Sequence, residues 1–352
     1  MKGTPKITVL MPSLNVSPYI RQCMDSVIKQ SLSDIEIIAV DAGSTDGTLE
    51  ILREYEKKDS RVRVILSDKK SYGYQMNIGL DAARGNYIGI IETDDWAESD
   101  MFEHLYQAAE ANDADVVKSN YYLYYTNDPE KNKFYKVLAG CEYGKITNAL
   151  KNNGRLFFVP PSIWSAVYRR SMLEKNHIRF NETPGASFQD TAFFYSICTF
   201  CERFYFLEDA FLHYRQDNIS SSVNSPEKVY CICEEMHYFE NVIQNRDIDS
   251  EKLYTYYLPS KFERYLWNYN RIDQRFQWDF LQRIREEFLA HSKNGQIVRN
   301  GFADDAWLTL QRLLKDPLRF YLSTCKGSPL FIWARNHYFN WKTGMTVREK
   351  NN

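Results

Sequence analysis

Several features that define other classes of protein are missing from this sequence of 352 residues. No run approaches the ~20 continuous apolar residues that a membrane-spanning helix needs. The 44 Lys and Arg nearly balance the 46 Asp and Glu, and the first two thirds hold no strongly basic part, which argues against nucleic acid as the main partner. No internal repeat or low-complexity stretch is present. A hydrophobic content of 44% is ample for a sizeable core, and the length predicts two domains.

The sequence also shows no secretion signal, because its first residues lead directly into a short apolar run with turn residues after it. Its seven cysteines, an odd number, are therefore expected to be reduced thiols in the cytoplasm. The pairs Cys198 with Cys201 and Cys231 with Cys233 leave a zinc site as an alternative. Buried core thiols are favoured, since the first pair lies in an apolar run with helical spacing.

Strand-like and helix-like patterns alternate over the first 120 residues. Short apolar runs predict strands at 7–11, 35–40, 62–66, 87–91 and 115–120. Periodic and capped segments predict helices at 19–30, 48–58, 74–84 and 98–112. This alternation specifies an α/β fold, a parallel sheet with helices on both faces. In such sheets, ligands bind beyond the carboxyl ends of the strands.

Polar residues follow three of these predicted strand ends. They are Ser13 with Asn15, then Asp41, then the group Glu92, Asp94 and Asp95. Three carboxylates crowded into four residues repel one another unless a cation lies between them, and an oxygen-rich cluster suits Mg²⁺ or Mn²⁺. A solvated loop with a helix N-cap is the alternative. The expected convergence of the three strand ends favours a ligand site.

The regular alternation ends near residue 121. Strands are predicted at 164–168 and 203–207, and a helix at 190–201, between less regular segments. Residues from 226 to about 314 carry the pattern of amphipathic helices. The aromatic content of 15% fits either a sugar-binding cleft or tyrosine-rich cores and interfaces.

Four motifs in this order resemble those of bacterial family 2 glycosyltransferases: VLMPSLN at 9–15, IIAVDAGSTDGT at 37–48, NIG at 77–79 and ETDDW at 92–96. Members of this family have the GT-A fold, a Rossmann-like, mixed and mostly parallel sheet flanked by helices. They transfer a sugar from a nucleotide diphosphate with inversion at the anomeric carbon. The resemblance covers roughly residues 5–225.

From the resemblance we expect three regions. Residues 1–120 are the nucleotide-sugar-binding half of the GT-A domain, and residues 121–225 are its acceptor-binding and catalytic half. Residues 226–352 form a helical C-terminal region that docks on a membrane or on a second subunit.

The resemblance also implies a donor site. Asp41 matches an acid that accepts a hydrogen bond from a pyrimidine N–H. The expected donor is a UDP-sugar, with a GDP- or dTDP-sugar as the alternative. Asp94 matches the ligand of a divalent cation, Mn²⁺ or Mg²⁺, that bridges the diphosphate. The residues expected to contact the nucleotide-sugar are Pro12, Ser13, Asn15, Asp41, Asp68, Lys69, Gly73, Asn77, Glu92, Thr93, Asp94 and Arg215.

The sequence departs from the family pattern at four positions. Ala42 stands where a second acid is usual, and Met76 where Arg is frequent. Glu92 replaces an Asp, and Gln189 replaces an acid before Asp190. The Glu92 and Gln189 departures sustain an alternative from another class, a catalytically inactive sugar- or nucleotide-binding scaffold subunit of a glycan assembly complex.

Residues 185–193 resemble the family's acidic motif at a helix start. Asp190 is accordingly expected to be the general base that takes the proton of the acceptor hydroxyl. A helix N-cap is the alternative for Asp190. Gln189 and Trp164 are expected on the acceptor side, although a core position is an equal alternative for Trp164.

Residues 212–218 resemble the family's closing segment, where a His often completes the metal or diphosphate site. His213 is the expected metal ligand, with Asp217 as the alternative in that position. Arg215 is expected to pair with phosphate in a bidentate manner.

Residues 315–350 hold seven Lys or Arg against two acids, with aromatic residues between them. This composition suits peripheral docking on an anionic membrane, where a lipid-linked glycan acceptor would wait. Packing on the protein itself or on a second subunit, as in a homodimer, is the alternative. The sequence therefore predicts a cytoplasmic, metal-dependent, inverting hexosyltransferase, at the inner face of the cell membrane, that extends a capsule, exopolysaccharide or lipopolysaccharide.

Overall fold

The protein is described by a computed structural model over residues 3–218, 228–244 and 246–324. The chain forms two compact units, residues 1–221 and 222–352. Each unit has its own buried core.

The predicted region boundaries relate to these units in two ways. The boundary after residue 225 falls among residues 219–227, which lie outside the described residues, as do residues 325–352 of the C-terminal region. The boundary at residue 120 divides a single strand, Val116–Tyr124, so that division stays a prediction about function.

Within its described residues, the first unit contains one mixed sheet of ten strands. They are β1 Ile7–Ser13, β2 Ile35–Asp41, β3 Val62–Leu66, β4 Tyr87–Ile90, β5 Trp96–Ala97, β6 Val116–Tyr124, β7 Lys133–Tyr135, β8 Ile146–Thr147, β9 Ala166–Arg169 and β10 Phe204–Arg215. The strand order is β3-β2-β1-β4-β9-β6-β10-β5, with β7 paired to β6 and β8 paired to β10. The predicted α/β fold with a mixed, mostly parallel sheet is confirmed.

The helices of the described first unit lie between these strands in the chain. They are α1 Ser17–Ile28, α2 Thr48–Lys58, α3 Tyr72–Ala82, α4 Met101–Ala111, α5 Ala149–Asn152, α6 Arg170–Lys175 and α7 Gln189–Phe200. The first four predicted strands and first three predicted helices are confirmed to within two residues at each end. Helix α3 begins before its predicted start because the Ser71 hydroxyl caps it, accepting the N–H of Tyr74.

The parallel part of the sheet brings the ends of β1, β2 and β4 together. Strand β1 lies between β2 and β4 and is parallel to both. Its last residue, Ser13, lies directly opposite Asp41, the last residue of β2. Buried side chains cover every position of β1 and β2, as expected for central parallel strands.

Strand β9 makes the sheet mixed. It lies between β4 and β6 and is antiparallel to both, with Tyr168 opposite Ile88 on one side and Val116 on the other. Strand β10 then pairs in parallel with β6 and extends to Arg215, well beyond the predicted end at residue 207. Register shifts near Ala210 allow this extension, where Glu208 and Asp209 interrupt the apolar pattern of the strand.

The described part of the second unit is helical. Its α-helices are α8 Cys231–Ile243, α9 Ser250–Arg271, α10 Gln274–Lys293, α11 Asp304–Lys315 and α12 Pro317–Thr324. The fully buried Lys261 forms ion pairs with Glu240 (2.7 Å) and Glu287 (2.9 Å). No helix in the described ranges combines the length and apolar character needed to cross a membrane.

A close backbone contact fixes the middle of α9. Pro259 lies inside this helix and has no N–H to give to the carbonyl of Thr255, four residues before it. Gly301 packs at this place: a Cβ atom there would lie 2.0 Å from the Thr255 carbonyl oxygen. Only glycine fits at position 301 without movement of the backbone.

Replacing Gly301 by Ala should therefore destabilise the protein. We expect a loss of about 1–3 kcal/mol, the usual range for an overpacked site, because the new methyl group meets backbone rather than a flexible side chain. Thermal unfolding followed by circular dichroism measures the change. Gly3→Ala is the matched control, since a Cβ at Gly3 has no neighbour within 4 Å. Equal unfolding midpoints for the two variants would contradict this account of Gly301.

Candidate functional site

The buried carboxylate of Asp41 organises the loop after β2. It accepts the main-chain N–H groups of Gly43 (3.0 Å) and Ser44 (2.9 Å) and the Ser44 hydroxyl (2.6 Å). The Ser13 hydroxyl reaches the same carboxylate at 3.4 Å. Asn15 joins the two loops, because its side-chain oxygen accepts the N–H of Thr45 at 2.9 Å. The predicted convergence of Ser13, Asn15 and Asp41 is thus present.

The loop after β4 is anchored to the end of β1. The Thr93 hydroxyl donates to the carbonyl of Pro12 at 2.7 Å. Glu92 accepts a hydrogen bond from the Tyr72 hydroxyl at 2.6 Å. Desolvation, with the neighbouring charges of Asp94 and Asp190, raises the pKa of Glu92 to about 8, although the Tyr72 hydrogen bond opposes the shift.

Asp95 is the most deeply buried carboxylate of this cluster. Its Oδ1 accepts the main-chain N–H of Arg215 at 2.8 Å, while its Oδ2 has no hydrogen-bond partner among the described residues. Burial, followed by the charge of Asp94, raises its pKa well above the ordinary value. Asp95 therefore links the loop after β4 to the end of β10.

Arg215 directs its guanidinium to protein groups. Its Nε donates to the Asp94 carbonyl (2.7 Å), one Nη donates to Gln22 (2.6 Å), and the other donates to Thr126. The group lies over the rings of Tyr19 and Tyr124, 4.7 and 5.0 Å from their centroids. These guanidinium N–H groups thus bind protein groups and connect the segments around the site, whereas the sequence predicted that Arg215 contacts phosphate.

Asn218, which the sequence analysis missed, is the side chain that reaches Asp94. Its amide donates to Asp94 Oδ2 at 2.8 Å. His213 instead contacts Glu98 at 2.7 Å and stacks on Trp96 at 3.5 Å between ring centroids. The other candidate, Asp217, accepts the N–H of Asn127 at 3.0 Å. The available signal was that Asn218 ends the segment 212–218, which resembles the family's closing segment.

The oxygen atoms around Asp94 fit a hard divalent cation that is shared with a nucleotide. In the parts of the chain that the structure describes, no group of three or more His, Cys, Asp or Glu could hold a metal ion by itself. Mg²⁺ commonly binds through one or two carboxylates together with substrate phosphates. Asp94, which lies at the carboxyl edge of the parallel strands, fits that arrangement.

Asp190 and Gln189 begin helix α7. The N-cap position belongs to Phe188, in a left-handed conformation (φ 64°), so Asp190 lies in the first turn and does not cap the helix. Its charge raises the pKa of Glu92, which places both carboxylates in one electrostatic site. Gln189 is buried and bonds to its own loop, donating to Thr183 Oγ1 (2.9 Å) and to the Gly185 carbonyl (3.2 Å).

The residues predicted to close over the nucleotide fall into two groups. Gly73 and Asn77 attach α3 to the segment before α7: a Cβ at Gly73 would lie 1.8 Å from the Asn181 carbonyl oxygen, and Asn77 bonds the main chain of Phe180. Asp68 and Lys69 are exposed, and Lys69 pairs with Glu182 at 3.8 Å. The second group alone is accessible to a ligand.

An aromatic cluster borders the carboxylates. Trp164 is buried, and its ring packs against Tyr121 (4.6 Å between centroids) and Tyr214 (4.9 Å). Tyr214 is half-buried, and burial, then the charges of Asp95 and Asp94, raise its pKa. Sequence reasoning missed Tyr214, although its place next to Arg215 in the closing segment was a usable signal.

Comparison with known sequences identifies glycosyltransferases that are similar to this chain. The sequence model described as Glycosyl transferase family 2 matches residues 8–177. Glycosyltransferase GlyG of Streptococcus pneumoniae is 31% identical over 222 residues, which cover 60% of this chain and 70% of GlyG. Glycosyltransferase EpsJ of Bacillus subtilis is 34% identical over 228 residues, 64% of each chain. The alignment with Glycosyltransferase GlyA of S. pneumoniae covers 50% of this chain and 26% of GlyA.

Solved structures show the same fold. S. aureus TarS 1–349 in complex with UDP-GlcNAc superposes with a TM-score of 0.63 at 21% identity, covering 97% of this chain and 90% of that one. The mannosyltransferase PcManGT from Pyrobaculum calidifontis, in complex with GDP-Man and Mn²⁺, gives a TM-score of 0.52 at 16% identity, covering 92% and 89%. The fold is the GT-A fold. The chain belongs to glycosyltransferase family 2, as its four motifs indicated.

The raised pKa of Glu92 predicts a pH-dependent stability. The folded state holds the proton of Glu92 more tightly than the unfolded state, where the ordinary pKa is 4.5. The stability that this proton gives to the folded state is therefore fully present below pH 4.5 and is lost as the pH rises through about 8. In metal-free buffer, we expect the unfolding midpoint of the wild type to fall relative to Glu92→Gln between about pH 5 and pH 9. Glu92→Gln keeps an oxygen for Tyr72.

Glu50→Gln on the exposed surface of α2 is the control for loss of a carboxylate. Its midpoint should follow the wild type across the same pH range. Parallel curves for the wild type and Glu92→Gln would show that Glu92 titrates as an ordinary carboxylate.

Proposed function

We propose that this protein transfers a sugar, with inversion, from a nucleotide-diphosphate donor to a hydroxyl group of a growing surface glycan. One observation carries the proposal: Asp41 ends β2, the cluster of Glu92, Asp94 and Asp95 follows β4, and these two strands flank β1 in parallel, so the acids lie at the same edge of the sheet. This edge is where α/β proteins bind nucleotides. The family membership supports the reaction class, and capsule, exopolysaccharide and lipopolysaccharide are the proposed products.

A UDP-sugar is the proposed donor. The loops that Asp41 and Asn15 hold would contain the base and ribose, with Pro12 and Ser13 alongside. The exposed Asp68 and Lys69 would close over the diphosphate and sugar. One structural relative is described with UDP-GlcNAc and another with GDP-Man. The comparisons therefore support a nucleotide-sugar donor, and the donor screen described below identifies its nucleobase.

Mn²⁺ or Mg²⁺ is the proposed cofactor, held by Asp94 and the donor diphosphate. When bound, it would neutralise the charge that develops on the departing nucleoside diphosphate. The hydrogen bond from Asn218 orients the Asp94 carboxylate for this task. His213 is the less favoured metal ligand, because its ring is paired with Glu98 and stacked on Trp96.

Asp190 is the proposed general base. Inversion by a single displacement needs a group that removes the proton of the acceptor hydroxyl as the new bond forms. Asp190 lies in the first turn of α7, where the helix N-terminus stabilises the negative charge of a carboxylate. The charge of Asp190 acts on Glu92, which supports a base that lies near the donor carboxylates.

The acceptor sugar is proposed to contact Tyr214. Trp164, the residue expected from the sequence, is buried behind it, whereas Tyr214 is half-buried. An aromatic ring packs well against the apolar C–H face of a sugar. Trp164 would then support the contact instead of making it.

We place the reaction at the cytoplasmic face of the membrane, where a lipid-linked acceptor is reached. The described part of the C-terminal region contributes α12, on which Leu318 and Leu322 are exposed on one helical face. Peripheral membrane contact or a homodimer would cover them. A catalytically inactive scaffold is the second candidate, and the substitution of Gln for an acid at position 189 is the observation that favours it.

A donor screen by thermal shift tests the nucleotide and the metal together. UDP-, GDP- and dTDP-sugars are each added with and without Mn²⁺. The right donor should stabilise the fold, by about 2.7 kcal/mol at a concentration 100 times its Kd. Asp94→Asn should lose the part of the shift that depends on Mn²⁺. If no donor shifts the midpoint of the wild type, the nucleotide-sugar proposal is wrong.

The base assignment is tested by Asp190→Asn. We expect turnover, measured as nucleoside diphosphate released in transfer, to fall by roughly 10²- to 10⁴-fold, because the amide cannot accept the proton. The donor-dependent thermal shift should remain. Asp209→Asn, at an exposed position of β10, is the control and should keep full activity. Full activity of Asp190→Asn would exclude Asp190 as the base, and an inactive wild type that binds donor would favour the scaffold.

A further inference from the structure

Lys118 of β6 is fully buried and holds a single turn of the chain. Its ammonium nitrogen lies 3.2 Å from the carbonyl oxygen of Pro161, 2.6 Å from that of Ser162, 2.8 Å from Ser162 Oγ and 2.9 Å from Ser165 Oγ. All four oxygen atoms belong to residues 160–165, here named the Lys118 turn. No ion pair to a carboxylate is found for Lys118 within the described ranges.

A buried amine of this kind is costly for the stability of the fold. Desolvation lowers the pKa of Lys118 to about 7. An apolar side chain of similar length would occupy the same place in the sheet without that cost. The four oxygen contacts indicate that the amine serves to fix the Lys118 turn.

The Lys118 turn carries Trp164 and needs fixing. Ser162 has a left-handed conformation, with φ 29° and ψ 55°, which costs free energy for a residue other than glycine. Trp164 follows within the short helical turn Ile163–Ser165. A second bond comes from the neighbouring residue of β6, since the Ser119 hydroxyl donates to the Ser165 carbonyl at 3.3 Å.

The contacts continue from the Lys118 turn to the proposed acceptor side. The Trp164 ring packs on Tyr214, and Tyr121 of β6 packs on both rings. Tyr214 precedes Arg215, whose main-chain N–H binds Asp95. Movement of Trp164 would therefore displace the ring that borders the carboxylates.

We infer that Lys118 is a positioning residue for the acceptor, because it holds the Lys118 turn where Trp164 supports Tyr214 against the apolar face of an acceptor pyranose. The inference rests on the proposed function and adds a group that fixes the acceptor hydroxyl relative to Asp190. Lys118 contacts neither substrate nor metal in this role. Its loss should impair acceptor use and leave donor binding intact.

The position of Trp164 can be measured without any activity. Protein labelled with 5-fluorotryptophan gives fluorine NMR signals from its seven tryptophans, and Trp164→Phe identifies that of Trp164. Lys118→Met keeps a long side chain and removes the amine, so we expect it to move or broaden the Trp164 signal and leave those outside the cluster unchanged. Lys57→Met, at an exposed position of α2, is the matched control. An unmoved Trp164 signal in Lys118→Met would overturn the inference.

Kinetics provide a second measurement. Nucleotide release from the UDP-sugar in water reports donor use, and its stimulation by octyl β-glycosides reports use of a surrogate acceptor. In Lys118→Met, we expect the KM for the glycoside to rise roughly 10- to 100-fold, because displaced positioning groups misalign the reactants, with release in water nearly unchanged. An equal fall of both rates with a lower unfolding midpoint would mean that Lys118 is merely structural.

One further variant and the wild type keep the test decisive. If Lys118→Met does not fold, Ser165→Ala removes one of the four oxygen contacts and should shift the Trp164 signal to a smaller extent. A wild type that uses no donor would overturn the acceptor role together with the proposed function. An unmoved Trp164 signal in an active enzyme would overturn only the role of Lys118.

Discussion

Crowded, poorly solvated carboxylates after β4 are the constraint around which the first unit is arranged. Three acids within four residues repel one another, and burial makes their charged forms costly. The protein offsets this cost with hydrogen bonds between residues that are from 20 to 124 positions apart. The donors are Tyr72, Asn218 and the main chain of Arg215. Because none of them is local, the cluster exists only in the assembled fold.

Arg215 illustrates how a residue of the expected type can act in an unexpected way. An arginine near a diphosphate is readily interpreted as a phosphate ligand, yet its guanidinium here joins α1, the segment after β6 and the loop after β4. Its positive charge still lowers the pKa of Asp95, against the larger effect of burial. The same group therefore limits the repulsion within the acidic loop and fixes the loop's shape, and both effects prepare the site for a charged donor.

The sequence predicted the strands and acids whose positions depend on residues that are close together in the chain. The first four strands are short apolar runs separated by helices, and Asp41 and Asp94 stand within three residues of the ends of such runs, so both the sheet edge and its acids were predictable. Strand β10 was only half predicted, because Glu208 and Asp209 interrupt its pattern. The proposed role of Lys118 could not be predicted, because it depends on contacts with a turn more than 40 residues distant in the chain, and the only sequence signal for Tyr214 was its place next to Arg215.

The position of β9 between β4 and β6 has a consequence for synthesis of the protein. The first four strands pair among themselves and can assemble as they leave the ribosome. The edge of β4 stays open until residues 166–169 have emerged, and the acidic loop lacks its distant partners until residues 215–218 follow. A nascent chain paused in this interval holds half a sheet with an unpaired edge, the state in which strands of different chains associate. Chaperone dependence should be concentrated in this interval.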